Sequence, residues 1–250
     1  MGDSSYFVHD KVEKAKRIEE KRSIILDFLA NETFSTSQIL GQLLELSRTA
    51  TYQTLKSMEK QELVKLHEIE YELAQRGKQT LWGLTPKGAL LAADLDAFHV
   101  DFYEVGRIAT STIAHSIAIQ RIKVTGLSKG WTNWISSRKL KQIAAKDKKK
   151  WLQIPDALAT SPDGKTVAFE VEKTIKTPKR YESILSNYAK MFLDETVDQV
   201  FYICPENIAK RLEMVFIKFN KITIDGRSYP VHENVLKRIR FLSYDEWNQI

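Results

Sequence analysis

Cysteine is nearly absent: Cys204 is the only one in 250 residues. No internal disulfide can form, and the chain cannot build a thiolate zinc site by itself. Six prolines and ten glycines exclude a collagenous or low-complexity chain. No apolar run approaches the ~20 residues that a membrane-spanning helix needs. The opening stretch MGDSSYFVHDKVEKAKRIEEK lacks the apolar centre of a secretory signal. The histidines His9, His67, His99, His115 and His232 show no metal-ligand spacing. Neither a glycine-rich phosphate loop nor a serine-hydrolase elbow is present, which argues against ATP chemistry. These absences lead us to expect a cytoplasmic protein. With 43% hydrophobic residues, it has enough apolar material for one or two cored domains.

Charge is more informative. Lys and Arg number 38 against 32 Asp and Glu, a net +6, and the isoelectric point is about 9.2. The excess is concentrated between Leu127 and Gln153. There Lys129, Arg138, Lys139, Lys141, Lys146, Lys148, Lys149 and Lys150 face a single acid, Asp147. Focused positive charge points to a polyanionic partner. The plainer alternative is a solvated lysine-rich loop. Trp131, Trp134 and Trp151 argue against that, and tryptophans in such a segment suit stacking on unpaired bases.

The pattern changes character near Asp94–Tyr103, dividing the chain into residues 1–98 and 99–250. In the first part Ile24, Ile25, Phe28 and Leu29 form one helical stripe. Ser35 or Ser37 is expected to cap a second helix carrying Ile39, Leu40, Leu43 and Leu44. Ser47 is expected to cap a third, from Arg48 to about Gln61, with Tyr52, Leu55 and Met58 inward. Two alternating strands follow, from Leu63 and from Gln79, with Arg76-Gly77-Lys78 at their turn. Pro86 then starts a further helix. Helix, helix, helix, hairpin, helix is the winged helix-turn-helix order, and LWGLTPKGALLA is similar to such domains in bacterial regulators. The third helix would offer Arg48, Thr49, Thr51, Gln53 and Lys56 to the major groove, and the wing would offer Arg76 and Lys78 to phosphate. A winged helix used for protein contacts is the alternative.

In the second part the patterning predicts a helix over Val105–Ile122 and strands at Trp151–Ala157 and Thr166–Glu172. It continues with a helix over Pro178–Leu193, a buried strand Gln199–Cys204, a helix Ile208–Phe219 and a last strand Ile239–Ser243. The expected fold class is therefore α/β (α+β): a winged helix-turn-helix, then a mixed sheet flanked by helices.

Within that sheet, acids are brought together. Pro155-Asp156-Ala157 precedes a hairpin whose turn is Pro162-Asp163-Gly164-Lys165, and the returning strand ends Glu170-Val171-Glu172-Lys173. Alternation puts Glu170 and Glu172 on one face, and an antiparallel neighbour brings Asp156 beside them. Three hard oxygen ligands suit Mg²⁺ or Mn²⁺ rather than zinc. The competing interpretations are solvent-facing strand acids for the glutamates and a turn residue for Asp156.

These residues resemble the PD-(D/E)xK nuclease core. More specifically they resemble the replication-relaxation family of plasmid mobilization proteins, the C-type relaxases. That resemblance rests on His115 in the first long helix, the Pro155-Asp156-Ala157 box, Glu170-Val171-Glu172-Lys173, and Tyr181 or Tyr188 in the following helix. It implies a restriction-endonuclease-like domain that nicks one DNA strand at an origin of transfer with Mg²⁺ or Mn²⁺. The expected partners are double-stranded DNA with a nicked or locally single-stranded site, accessory relaxosome proteins and a coupling protein. The implied roles are Asp156, Glu170 and Glu172 as metal ligands, Glu172 alternatively as general base, and Lys173 as the stabilising cation. Lys129, Arg138, Lys139 and Lys141 would hold the DNA backbone. Tyr181 or Tyr188 would be an alternative nucleophile to water, and His115 is more simply a packing or DNA-contact residue.

One departure stands out. The nuclease pattern has lysine two residues after the strand acid, where this chain has Glu172. Lys173 has the wrong strand parity, which leaves Lys176, Lys179 or Lys190 to supply positive charge. Two other functions compete: a regulator or replication-origin binder whose nuclease-like domain is catalytically silent, and a restriction-like endonuclease cutting both strands.

Overall fold

The computed structural model describes residues 4–70, 78–92, 108–146 and 151–250. Contacts divide the chain into two compact units, Met1–Gln120 and Arg121–Ile250. The change of pattern at residues 98 and 99 falls outside the described residues.

The first unit runs α1 (Ser4–Glu32), β1 (Phe34–Ser35), α2 (Ser37–Leu43), α3 (Arg48–Lys60), β2 (Val64–Glu70), β3 (Lys78–Leu84) and α4 (Pro86–Ala92), and reaches into α5 (Thr110–Ser128). Its antiparallel sheet has the order β1-β3-β2. This is the three-helix and winged-hairpin arrangement that the residue pattern predicts. Ile25, Leu26, Phe28 and Leu29 form the buried stripe of α1, while Ile24 is exposed.

Neither Ser35 nor Ser37 caps α2. Thr36 does, its hydroxyl accepting from the Ile39 amide at 3.2 Å. The serines are committed elsewhere: Ser35 donates to Gln120 Oε1 at 2.8 Å, and Ser37 Oγ accepts from the Trp82 indole at 2.9 Å. Gln120, buried on α5, also donates to the Phe34 carbonyl at 2.7 Å, so β1 is held by its side chain. Ser47 caps α3 as expected. A Cβ on Gly88 would lie 1.9 Å from the Leu63 carbonyl oxygen, so only glycine lets α4 cross there.

The second unit adds β4 (Thr132–Ser136), α6 (Ser137–Lys146), β5 (Ala157–Thr160), β6 (Thr166–Val171), α7 (Pro178–Leu193), β7 (Gln199–Cys204) and α8 (Glu206–Ile217). It continues with β8 (Lys221–Ile224), β9 (Arg227–Pro230), α9 (Glu233–Leu236), β10 (Ile239–Ser243) and α10 (Tyr244–Gln249). The main sheet has the order β10-β7-β6-β5-β4. The strands β4, β5 and β6 form an antiparallel meander, whereas β6, β7 and β10 run parallel. The parallel neighbours need crossovers, which α7 and α8 supply.

The strand expected at Trp151–Ala157 begins only at Ala157. Pro155 has no amide to give a ladder, and the residues before Ala157 form a bend. The strand β4, the helix α6 and the β8–β9 hairpin have no counterpart in the periodicity reading.

One face of the sheet carries Leu158, Ala168, Val200 and Tyr202, packed against Tyr181, Leu185 and Tyr188 of α7. The other face is aromatic. Trp131 meets Phe169, Phe201 and Trp247 edge-on, with ring centroids 5.2–5.9 Å apart. Trp247 also donates to the Ile122 carbonyl of α5 at 3.2 Å. A capping box between Ser243 and Glu246 starts α10 and fixes Trp247 in that layer.

Candidate functional site

On α3 the exposed face carries Arg48, Thr49, Tyr52 and Gln53. Two expectations are exchanged. Tyr52 is not inward but 52% exposed, whereas Thr51 is buried. The Thr51 hydroxyl donates to the Ser47 carbonyl at 2.9 Å and faces Gly41, where a Cβ would come within 2.8 Å of it. Thr51 therefore seats α3 on α2 and cannot read a base. Lys56 is half-buried, paired with Glu59 at 2.6 Å and lying 5.8 Å from the Tyr52 ring. Lys78 is exposed opposite Glu68, and Arg76 lies outside the described residues. His115 is half-buried on the part of α5 that belongs to the first unit.

The basic segment divides by role. Lys139 and Lys141 are exposed on α6, whose Leu140 and Ala144 are buried, and Arg138 is half-buried. Lys129 is taken up internally: its ammonium donates to the carbonyls of Asn248 at 2.6 Å and Trp247 at 3.4 Å. That is a favourable place for a cation, at a helix C-terminus. The tryptophans pack internally to different degrees. Trp131 is buried, Trp134 lies on Phe169 with ring centroids 4.9 Å apart, and Trp151 packs into the α7-side core. Residues 147–150 lie outside the described residues.

The acids converge at the junction of β5 and β6. Ala157 stands opposite Phe169, which sets Asp156 opposite Glu170. The Asp156 amide donates to the Phe169 carbonyl at 2.9 Å, and its carboxylate accepts from the Val171 amide at 2.8 Å. Glu170 and Glu172 are 6% and 5% exposed, so they are not solvent-facing strand residues. Glu170 Oε1 accepts from the Tyr188 hydroxyl at 2.6 Å and from Gln153 Nε2 at 3.0 Å. Burial, and then the Asp156 charge, push the Glu170 carboxyl up to about 7. The two hydrogen bonds and the Lys176 charge act in the opposite direction.

Glu172 diverges from the other two acids. Its carboxylate pairs with the Lys176 ammonium, and its amide continues the ladder to the Ile203 carbonyl at 3.3 Å. Among the described residues, no three His, Cys, Asp or Glu side chains form a metal-sized group. The expected carboxylate triad is thus a pair, Asp156 with Glu170, beside an ion pair. Lys173 is exposed, beyond the end of β6 at Val171. Lys190 is held by Asp194 at 3.2 Å and Asp225 at 3.5 Å, and Lys179 is exposed.

Tyr181 and Tyr188 are both buried. Burial raises both hydroxyl pKa values, and for Tyr188 the adjacent Glu170 adds to the shift. Two site residues escaped the sequence reading. Gln153 sits in the bend before Pro155. Tyr202 is paired in register with Glu170 across β6 and β7. The Tyr202 hydroxyl is buried and finds no hydrogen-bond partner among the described residues. Only knowledge of the parallel β6–β7 register could have found it. The Cys204 thiol is buried, and burial pushes it up to about 12, which makes it inert.

A helical unit with a three-stranded antiparallel sheet, followed by a mixed α/β unit with paired buried acids, defines a class of two-part α+β protein. The family is given directly by comparison: the replication-relaxation family matches residues 26–200, and the chain belongs to it. An F-box/LRR-repeat protein of Arabidopsis thaliana is 32% identical over 129 residues, 48% of this chain and 26% of that protein. The chain thus spans about a quarter of that relative's length. A point mutant of ZitR from Lactococcus lactis is 32% identical over 29% of this chain and 46% of its own, at a TM-score of 0.24. A ZitR double mutant in apo form is 20% identical over 57% of this chain and 87% of its own, at 0.25. No described helix is long and apolar enough to cross a membrane.

Proposed function

We propose that this chain is a metal-dependent DNA-nicking relaxase whose α3 face reads duplex DNA and whose Asp156–Glu170 pair serves strand cleavage. The observation that carries the proposal is the juxtaposition of two carboxylates at the β5–β6 junction. They sit in a meander joined by a crossover helix to a parallel strand, the order that the PD-(D/E)xK resemblance leads one to expect. Two opposed carboxylates, one driven toward neutrality by burial and then by the other, form a hard-oxygen donor pair. Mg²⁺ ordinarily takes one or two carboxylates and completes its shell with water and substrate phosphate, so a pair suffices.

Asp156 and Glu170 would hold the ion, which when bound supplies Lewis acidity at the phosphate and a water of lowered pKa. The protein's own part is orientation. The Val171 amide holds Asp156, while Tyr188 and Gln153 hold Glu170. Water is favoured over tyrosine as nucleophile, because the Tyr188 hydroxyl is already donated to Glu170 and the Tyr181 hydroxyl accepts from the Lys176 amide at 3.1 Å. Exposed Lys139 and Lys141 would add phosphate contacts.

The test uses supercoiled plasmid carrying the gene's own flanking DNA, incubated in Mg²⁺ or Mn²⁺ with wild-type protein or Glu170→Gln. Relaxed circles from the wild type alone are expected. Linear product would replace the relaxase reading with a restriction-like one. Binding without cleavage in either metal would leave a DNA-binding regulator or origin binder with a silent second unit.

A further inference from the structure

We propose that Lys176 is the cation that faces the scissile phosphate, and that Glu172 is its positioning residue rather than a third metal ligand. This inference rests on the nicking reading and deepens it. The strand position that normally holds lysine is occupied by Glu172, so the site needs its positive charge from elsewhere. Glu172 is 5% exposed, and a carboxylate buried to that degree requires a partner. Its partner is Lys176, reached across the short segment between β6 and α7.

Two further contacts fix that segment. The Lys176 amide donates to the buried Tyr181 hydroxyl at 3.1 Å, and Thr177 caps the start of α7 from the backbone. At 30% side-chain exposure the Lys176 ammonium remains open to solvent, which is where a phosphate must arrive. The other lysines do not meet these conditions: Lys173 makes no ion pair with a described residue, and Lys190 is engaged by Asp194 and Asp225.

A cation held against carboxylates should stabilise charge that develops on phosphate oxygens, and it should oppose metal binding in the ground state. Metal affinity and cleavage therefore separate. Mn²⁺ binding is measured by the loss of the free-ion paramagnetic resonance signal, and nicking is measured on the same supercoiled plasmid. Lys176→Gln should lose about 10²-fold in nicking while binding Mn²⁺ at least as tightly as wild type. Glu172→Gln should keep Mn²⁺ affinity within about threefold, whereas Asp156→Asn and Glu170→Gln should lose at least about tenfold, the scale of lost metal-site contacts.

A double variant, Glu172→Lys with Lys176→Gln, moves the ammonium into the strand position and should recover at least about a tenth of wild-type nicking. Lys176→Gln strands the buried Glu172 carboxylate and lowers the unfolding midpoint, so nicking is compared well below each variant's midpoint to separate this from misfolding. Full nicking by Lys176→Gln, or loss of Mn²⁺ by Glu172→Gln equal to that of Glu170→Gln, overturns the inference while leaving the nicking reading intact. A wild-type protein that neither nicks nor takes up Mn²⁺ overturns both.

Discussion

Tyr188 donates its hydroxyl to Glu170 across 2.6 Å, from a helix that packs on the face of the sheet to which Glu170 points. Both partners are buried. A tyrosine that periodicity places among the apolar residues of an amphipathic helix is therefore the acceptor-matched support of the site's most perturbed carboxyl.

The first prediction concerns pH. The Glu170 carboxyl is raised from 4.5 to about 7 in the folded chain. Between those values the unfolded chain ionises while the folded one keeps its proton, so stability falls as pH rises. The contribution is fully present below about pH 4.5 and lost above about pH 7, roughly 3 kcal/mol in total. In metal-free buffer, Glu170→Gln should lack this loss, so its unfolding midpoint should gain on the wild type across that window. A constant difference between the two proteins would contradict the assignment.

Tyr188→Phe removes a hydrogen bond that lowers the Glu170 pKa, so the same window should move upward. With Gln153 as the remaining donor to Glu170 Oε1, the lost hydrogen bond should cost about 1 kcal/mol in denaturant unfolding. Asp156→Asn removes the neighbouring charge and should move the window downward. Shifts of the same sign in both variants would be inconsistent with this geometry.

Much of this was legible in the residues, and the failures have physical causes. Pro178–Leu193 and Gln199–Cys204 match the observed elements because their periodicity is strong and their ends are marked by Pro178 and Pro205. The pairing of Asp156 with Glu170 is legible because a hairpin turn fixes the register between their strands. Alternation alone places Glu172 beside Glu170, and alternation cannot show that Lys176 folds back onto it. Trp131 lay in a segment defined by charge, so its aromatic partners Phe169, Phe201 and Trp247, distant in sequence, were invisible. Thr51 and Tyr52 were exchanged because adjacent positions on α3 differ by only a fraction of a turn, and burial depends on the close approach at Gly41.

On α3 the exchanged residues should behave differently. Arg48→Ala and Gln53→Ala should each weaken duplex binding, by roughly 1–3 kcal/mol if they contact base edges, with unchanged unfolding. Thr51→Val should cost about 1 kcal/mol of stability, because it deletes the hydroxyl bonded to Ser47. Fluorescence anisotropy and chemical denaturation on the same samples separate the two effects.

Lys139 and Lys141 are exposed, while Lys129 is bonded within the second unit. Replacing Lys139 and Lys141 together should reduce the salt dependence of DNA affinity by about two units of slope. Lys129→Ala should leave the slope unchanged and instead loosen α10, lowering the unfolding midpoint.

Gly88→Ala forces a Cβ to within 1.9 Å of the Leu63 backbone oxygen, an atom that cannot rotate away. The crossing must open, at a cost of about 1–3 kcal/mol or more. Denaturation should show that loss, and protease sensitivity should rise near α4 before it does near α7.

Ser35, Thr36 and Ser37 lie side by side, and their hydroxyls serve an α5 glutamine, the α2 amide and a strand tryptophan respectively. Substitution tables treat such residues as nearly interchangeable, and a drifting gene would be expected to permute them freely. Here each is a separate constraint. An added methyl at the buried Ser35 would have to find room in the core, and a lost hydroxyl at Thr36 would leave an amide open. A run that reads as a featureless polar spacer thus tolerates fewer neutral exchanges than the charged helix before it.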